Sequence, residues 1–293
     1  MMQKILLVLV GLCLSLPTLA QNNPHTLLWE VSRPGINDTS YLFGTFHEIA
    51  PDFFLSLTNA VQKLKQADLL FVERATADAQ ASSEEGVSID YWTVEQWDNL
   101  LSKKQKQVFE AFVEKSETPG YYELPPYVLN LNLARLYIQF FCDTLERESY
   151  EIMDQFIERY ALEENKKVHS LDKSHAEILL ESSLEKTFSE DSVHAAASIS
   201  LMSHMLNNDA SDCEVVEDYK SLNINYQLET ERQNQDKPFE LVGRNSNWMV
   251  TLDQAFTEHS CFIAVGFGHL LYKQGLIQQL RDIGYSVNPV SVR

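Results

Sequence analysis

Positive charge is the first thing this sequence is short of: 23 Lys+Arg stand against 42 Asp+Glu, a formal net charge of −19. A surface of that sign repels phosphate backbones, which excludes nucleic acid as a partner. Glycine is scarce too, at 10 in 293 residues against an ordinary share of about 7%. Clustered glycines therefore mark a local backbone need, and Gly44, Gly266 and Gly268 stand out. Four cysteines at wide spacing give neither a disulfide framework nor a CxxC metal site. There is no GxSxG elbow, no HExxH helix and no GxxxxGK[ST] loop, so serine-hydrolase, zincin and P-loop chemistry lose support. Beyond residue 20 no apolar run approaches the roughly 20 residues a membrane span needs.

The first 20 residues have the pattern of a cleavable leader. Lys4 precedes an apolar run from Ile5 to Leu16, and the small residue Ala20 comes just before polar Gln21. This pattern predicts export, to the periplasm or outside the cell, with no stable membrane span after cleavage. Cys13 does not make a lipoprotein site, because bulky Leu12 precedes it. Cys142, Cys213 and Cys261 then remain. This odd set permits at most one intramolecular bridge, and all three are read as buried small hydrophobes.

Periodicity outlines an α/β (α+β mixed) chain: one domain over 21–293, with a central mixed sheet flanked by helices. LLWEVS (27–32) and TSYLFGT (39–45), separated by a Pro-Gly-Ile-Asn-Asp turn cluster, predict a hairpin. Phe53, Leu57, Val61 and Leu64 recur at helical spacing over 52–66, and ADLLFVE (67–73) follows as a buried strand. The middle, about 93–240, reads as a helical insertion or cap with a single strand at 168–171. Its helices are expected over 103–115, after Pro125-Pro126, and near 152–164, 174–187 and 192–207. ADAQASSEEG (77–86) reads as a loop. A helix from about Arg244, a buried strand at 261–266, a helix at 276–285 and a last strand at 286–290 close the chain.

Both ends carry one pattern: SYLFGTFH (40–47) and FIAVGFGH (262–269) are each an apolar strand followed by Gly-x-x-His. Ligands bind at the carboxyl edge of open α/β sheets. If the two strands are neighbours, His47 and His269 converge there. Glu73, at the end of the intervening strand, reaches the same edge. Two imidazoles and a carboxylate suit a divalent transition metal, with Mn²⁺ or Zn²⁺ favoured for an oxygen-containing donor set. Arg244 and Asn245 lie just before the second motif strand, where Asn reads as a helix N-cap and both are candidates to stabilise developing charge. Asp172 and His175 sit at a strand-to-helix turn. His194 and His204 read as satisfied core or interface histidines.

These residues resemble the TraB/GumN family, which is related to the Tiki proteases and more distantly to the ChaN and erythromycin-esterase groups. The hairpin with its Gly-x-x-His, the strand ending in Glu73, the Met-Asp helix and following strand of 153–172, GRNSNWMVTL (243–252) and the closing unit 262–290 carry the resemblance. It implies a metal-dependent hydrolase site built from His47, His269 and Glu73, supported by Gly44, Gly266, Gly268 and Asp172. Arg244, Asn245 and Glu73 would be its catalytic groups, and a peptide or small molecule its substrate. Asp172 stands where the family commonly has glutamate, and Leu270-Leu271-Tyr272 replaces a Pro-Gly loop after His269. Two other expectations are compatible with the sequence. One is a non-catalytic exported protein that binds a metal, haem or a small ligand; the other is an envelope interaction module.

Overall fold

The computed structural model describes residues 23–76, 91–144, 151–172, 188–232 and 241–293. The leader, the 77–86 stretch, the helix expected near 174–187 and His175 lie outside them. Six strands form one mixed sheet: β1 (Leu28–Ser32), β2 (Ser40–Thr45), β3 (Leu69–Val72), β4 (Lys167–Ser170), β5 (Cys261–Gly266) and β6 (Ser286–Val290). Their order is β4-β3-β5-β2-β1-β6. The four on one side are mutually parallel, and β1 runs antiparallel to both β2 and β6.

The sequence explains this order. β2 and β3 are buried at every position, and β5 at all but its last residue. Continuous apolar runs suit strands covered on both faces. β4 is half exposed along its length and takes one edge. β5 lies between β2 and β3, so the two Gly-x-x-His strands are direct neighbours. Their register is not that of the motif. Gly44 pairs with Val265 and Thr45 with Gly266, so the two motif glycines are one residue out of step. Successive residues of a strand point to opposite faces, so the two glycines do as well. A Cβ on Gly44 would meet Phe267 Cβ at 2.9 Å, whereas one on Gly266 would meet Glu73 Oε1 at 3.1 Å and His47 Nε2 at 3.4 Å.

The helix predicted over 52–66 is divided into α1 (Pro51–Ser56) and α2 (Thr58–Gln66) at Leu57. The amides of Asn59 and Ala60, which open α2, are taken by the Val292 carbonyl of the C-terminal tail. That tertiary cap satisfies donors that a continuous helix would have used internally. The middle contributes α3 (Val94–Leu100), α4 (Lys103–Ser116), α5 (Pro126–Tyr137), α6 (Met153–Glu163), α7 (Phe188–Leu206) and α8 (Glu214–Lys220). Thr93 with Gln96 and Ser102 with Gln105 form capping boxes that start α3 and α4. Trp97, Phe109, Leu129, Leu133, Ala195 and Met202 make a separate apolar core among these helices. The sheet, α6, α8, α9 (Leu241–Glu258) and α10 (Leu276–Asp282) share the main one. Among the described residues no helix is long and apolar enough to cross a membrane.

The reading of all three cysteines as buried small hydrophobes needs correction. Cys142, at the end of a π-helical turn that continues α5, is disulfide-bonded to Cys213 just before α8, with Cα atoms 5.2 Å apart. Cys261 alone is free and buried. The bridge spans 71 residues and joins the chain leaving α5 to the chain entering α8. Cys142→Ser is expected to lower stability by about 2–4 kcal/mol, the usual range for constraining an unfolded loop of this length. A matching fall in urea midpoint checks this, and an unchanged midpoint refutes it.

Candidate functional site

Three of the sequence-predicted residues come together at the carboxyl edge of the parallel strands. Glu73 follows β3, His47 follows β2, and His269 lies in a 3₁₀ turn (Phe267–Leu270) that follows β5. Glu73 Oε1 is 3.5 Å from His269 Nε2 and 3.9 Å from His47 Nε2. The two imidazoles thus face the same carboxylate oxygen despite their distance in the chain. Thr45, Phe46, Leu241, Arg244, Gly266, Phe267 and Gly268 join them around an open cleft of about 230 Å³.

Each group is fixed from behind. The His47 ring contacts Asp154 Oδ2 through Nδ1 at 2.5 Å, and Thr45 Oγ1 donates to the other Asp154 oxygen at 2.7 Å. The Met153 amide, which opens α6, donates to the His47 carbonyl at 3.1 Å, so one helix start holds both the backbone and the ring. His269 is almost wholly enclosed, its side chain 2% exposed. Its Nδ1 meets Asn245 Oδ1 at 2.6 Å, and its ring lies 4.3 Å from that of Trp248. In both histidines the Nδ1 contact leaves Nε2 directed at Glu73. In His269 the Asn245 oxygen on Nδ1 also fixes the tautomer, leaving the Nε2 lone pair toward Glu73.

Glu73 is anchored on both oxygens. Oε1 accepts the Gly266 amide at 2.7 Å, and Oε2 is paired with the Arg244 guanidinium. Arg244 also binds Asp172 through Nε at 3.0 Å and Nη2 at 2.7 Å, and the Trp248 indole donates to Asp172 at 2.9 Å. The shorter arm of Asp172 still reaches this network.

Electrostatics follow from those contacts. Burial works against ionised Glu73, but His269, Arg244 and His47 outweigh it and hold the carboxyl down at about 2. Asp154 beside His47 raises that imidazole to about 9, against the opposing effect of burial. Burial pulls His269 down to about 3, and the Arg244 charge adds to this. At neutral pH the cleft therefore presents an ionised Glu73, a cationic His47 and a neutral buried His269, and His47 has to give up its proton to ligate a metal.

The expected placement of Asn245 needs correction. The helix already runs from Leu241, so Asn245 lies inside it rather than capping it. Its Nδ2 donates to the carbonyls of His269 and Gln274, both at 3.1 Å, and its Oδ1 holds the His269 ring. All its polar atoms are used in positioning His269, so none is left to stabilise charge in the cleft. Gly44 supports the opposite turn, while Gly266 and Gly268 line the cleft. His204 pairs with Asp209 and Asp212, and His194 packs on Tyr127; neither lines the cleft. Asp154 is the site residue that sequence reasoning did not single out. Its only signal was the Met-Asp pair that opens the similar helix.

The donor set fits a divalent ion in kind and direction. An ion with bonds of about 2.0–2.1 Å spans donors up to about 4.2 Å apart, and both nitrogen-to-oxygen separations fall inside that reach. As placed, among the described residues no group of three or more His, Cys, Asp or Glu is gathered closely enough to count as a ready-made cage. Against known proteins, the sequence profile of the TraB/PrgY/gumN family matches residues 27–289. No curated protein and no solved structure matches the chain.

Proposed function

From its membership of the TraB/PrgY/gumN family, to which the chain belongs, we propose that it is an exported metal-dependent hydrolase acting on peptide bonds. The observation that carries this reading is the convergence of His47 Nε2 and His269 Nε2 on Glu73 Oε1 at the carboxyl edge of the sheet. These three side chains would hold the ion, Mn²⁺ or Zn²⁺ by the chemistry of the donors. Such an ion supplies Lewis acidity toward a carbonyl oxygen and toward water.

The protein's own groups divide the remaining work. Asp154 and Asn245 orient the two imidazoles. Glu73, kept ionised by the charges of Arg244 and His47, serves as an anionic ligand. So low a pKa makes it a weak proton acceptor, because an effective general base titrates near the working pH. Arg244, lining the cleft and held in place by Asp172, offers its positive charge where negative charge develops on a carbonyl oxygen. The missing side chain at Gly266 keeps the space between Glu73 and His47 open. Export is part of the proposal, and the Cys142–Cys213 bridge supports it, since such bonds persist in oxidising compartments.

A non-catalytic metal- or ligand-binding protein of the same fold is the second reading. It is favoured by Arg244, which already pairs with both Glu73 and Asp172 without a metal. A peptide-library cleavage assay on protein treated with chelator and then resupplied with Mn²⁺ or Zn²⁺ separates the two. Cleavage that disappears with the chelator and returns with metal supports the hydrolase; tight metal binding without cleavage supports the second reading. In the same assay Asp154→Asn is expected to lower metal affinity or turnover about 10–100-fold, as loss of a ligand-orienting carboxylate does, with little change in urea midpoint. Turnover indifferent to chelation sinks the hydrolase reading.

A further inference from the structure

Among the described residues, one cation beside the cleft has no carboxylate within ion-pair distance. Arg232 donates through Nη2 to the Gly268 carbonyl at 2.9 Å, and Gly268 lines the cleft immediately before His269. Its guanidinium lies 4.6 Å from the centre of the Tyr272 ring. Among the described residues no Asp or Glu is within ion-pair distance of it. Neighbouring Glu231 turns to Lys273, at 3.3 Å. Arg244, the other arginine here, is by contrast bound by two carboxylates. In a chain of net charge −19, a part-buried arginine with no acidic partner among the described residues is notable. Burial pulls its pKa down, and the only group that pulls it up is the Tyr272 phenol.

The position is also rigidly built. The Arg232 amide donates to Gln274 Oε1 at 2.9 Å, the Lys273 amide to the Thr230 carbonyl at 2.9 Å, and the Tyr272 amide to the Tyr226 carbonyl at 2.8 Å. Tyr226 is buried and bonded through its hydroxyl to the Thr26 carbonyl. The segment 226–232 is thereby laced to the loop after His269. Tyr272 adopts a left-handed backbone, φ 69°, within that loop. Its ring is the one on which Arg232 rests, and among the described residues the guanidinium donates to the Gly268 carbonyl alone, leaving four of its five N–H groups available.

We propose that Arg232 is a specificity-determining residue that anchors a carboxylate of the substrate, so that the peptides taken are those bearing a negative charge close to the bond that enters the cleft. The carboxylate is either the chain terminus or an acidic side chain, and a guanidinium recognises both by paired, charge-assisted hydrogen bonds. Phe46 and Phe267 stack with centroids 5.4 Å apart and line the cleft, which suits an apolar residue next to the charged one. The inference rests on the peptide-hydrolase reading for the word substrate, but the anchoring itself is a binding property and is tested as one.

The experiment is calorimetric titration of chelator-treated full-length protein, so that no metal competes for the carboxylate. The probes are N-acetyl-Phe-Gly with a free carboxylate, its C-terminal amide, and amidated N-acetyl-Phe-Asp. The protein is expected to bind at least one of the charged probes about tenfold or more tightly than the neutral one, in line with a charged hydrogen bond. Preference for the first identifies a chain-terminal carboxylate; equal gain from the third identifies any nearby acid. Arg232→Gln is expected to erase the charged-over-neutral ratio, and Arg232→Lys to keep part of it, with urea midpoints verifying that both fold. No charge preference in the unaltered protein, or an unchanged ratio in Arg232→Gln, overturns the proposal. Charge preference that depends on Arg232, together with failure of the metal-supplied protein to cleave any peptide, leaves the anchor standing and overturns the hydrolase reading instead.

Discussion

On the proposed hydrolase reading, Glu73→Gln is expected to reduce peptide cleavage by more than about a thousandfold, equivalent to roughly 4 kcal/mol of transition-state stabilisation, while leaving the protein folded. The size of the effect follows from how many groups depend on this side chain. Its Oε1 is the atom toward which both imidazoles point, and its negative charge is what Arg244 meets. Glutamine is nearly the same shape and keeps an oxygen for the Gly266 amide. Arg244 retains Asp172 through two contacts, so no buried cation is stranded. What is lost is the charge, and with it the anionic ligand. Metal content should fall in parallel with activity, and the urea midpoint should move little. Glu73→Gln with normal turnover would remove Glu73 from the mechanism. Normal metal content with lost turnover would assign the carboxylate to proton transfer rather than ligation.

Truncation after Ser260 is expected to abolish folding altogether. The deleted segment contains β5, which lies between β2 and β3, and Cys261, Phe262, Ile263, Ala264 and Val265 are wholly buried. Burying a large apolar side chain contributes about 1.5–3 kcal/mol. Three such residues therefore approach the whole 5–15 kcal/mol by which a domain is stable, before the lost strand pairing on both sides is counted. Truncation after Gly284 is the control. It removes β6, an edge strand, together with the Val292 cap on α2, and should leave a weakened but cooperative fold. Near-ultraviolet circular dichroism and limited proteolysis distinguish the outcomes. A cooperatively folded product ending at Ser260 would show that the terminal units do not form one domain.

What the sequence made legible was local. The strands were visible as runs of branched and aromatic residues, and the two Gly-x-x-His turns as glycines at strand ends in a chain with few glycines. Asp154 was not legible, because an acidic residue at the start of a helix is ordinary dipole chemistry. Only the tertiary approach of α6 to β2 gives it a histidine. The Cys142–Cys213 pairing depends in the same way on where α5 and α8 stop. The place of Asn245 in its helix was misjudged, since the four helical residues before it, Leu241 to Arg244, carry no strong start signal.

The one-residue slip between β2 and β5 also bears on how the two halves diverged. Whatever common pattern SYLFGTFH and FIAVGFGH once shared, the slip has given the two glycines unlike duties. Gly44 makes room for the opposite turn, at Phe267 and Leu270, and Gly266 makes room for the side chains of Glu73 and His47. A side chain at the first position would disturb the packing of one turn on the other, and a side chain at the second would crowd the cleft, so two stretches that look alike are not interchangeable.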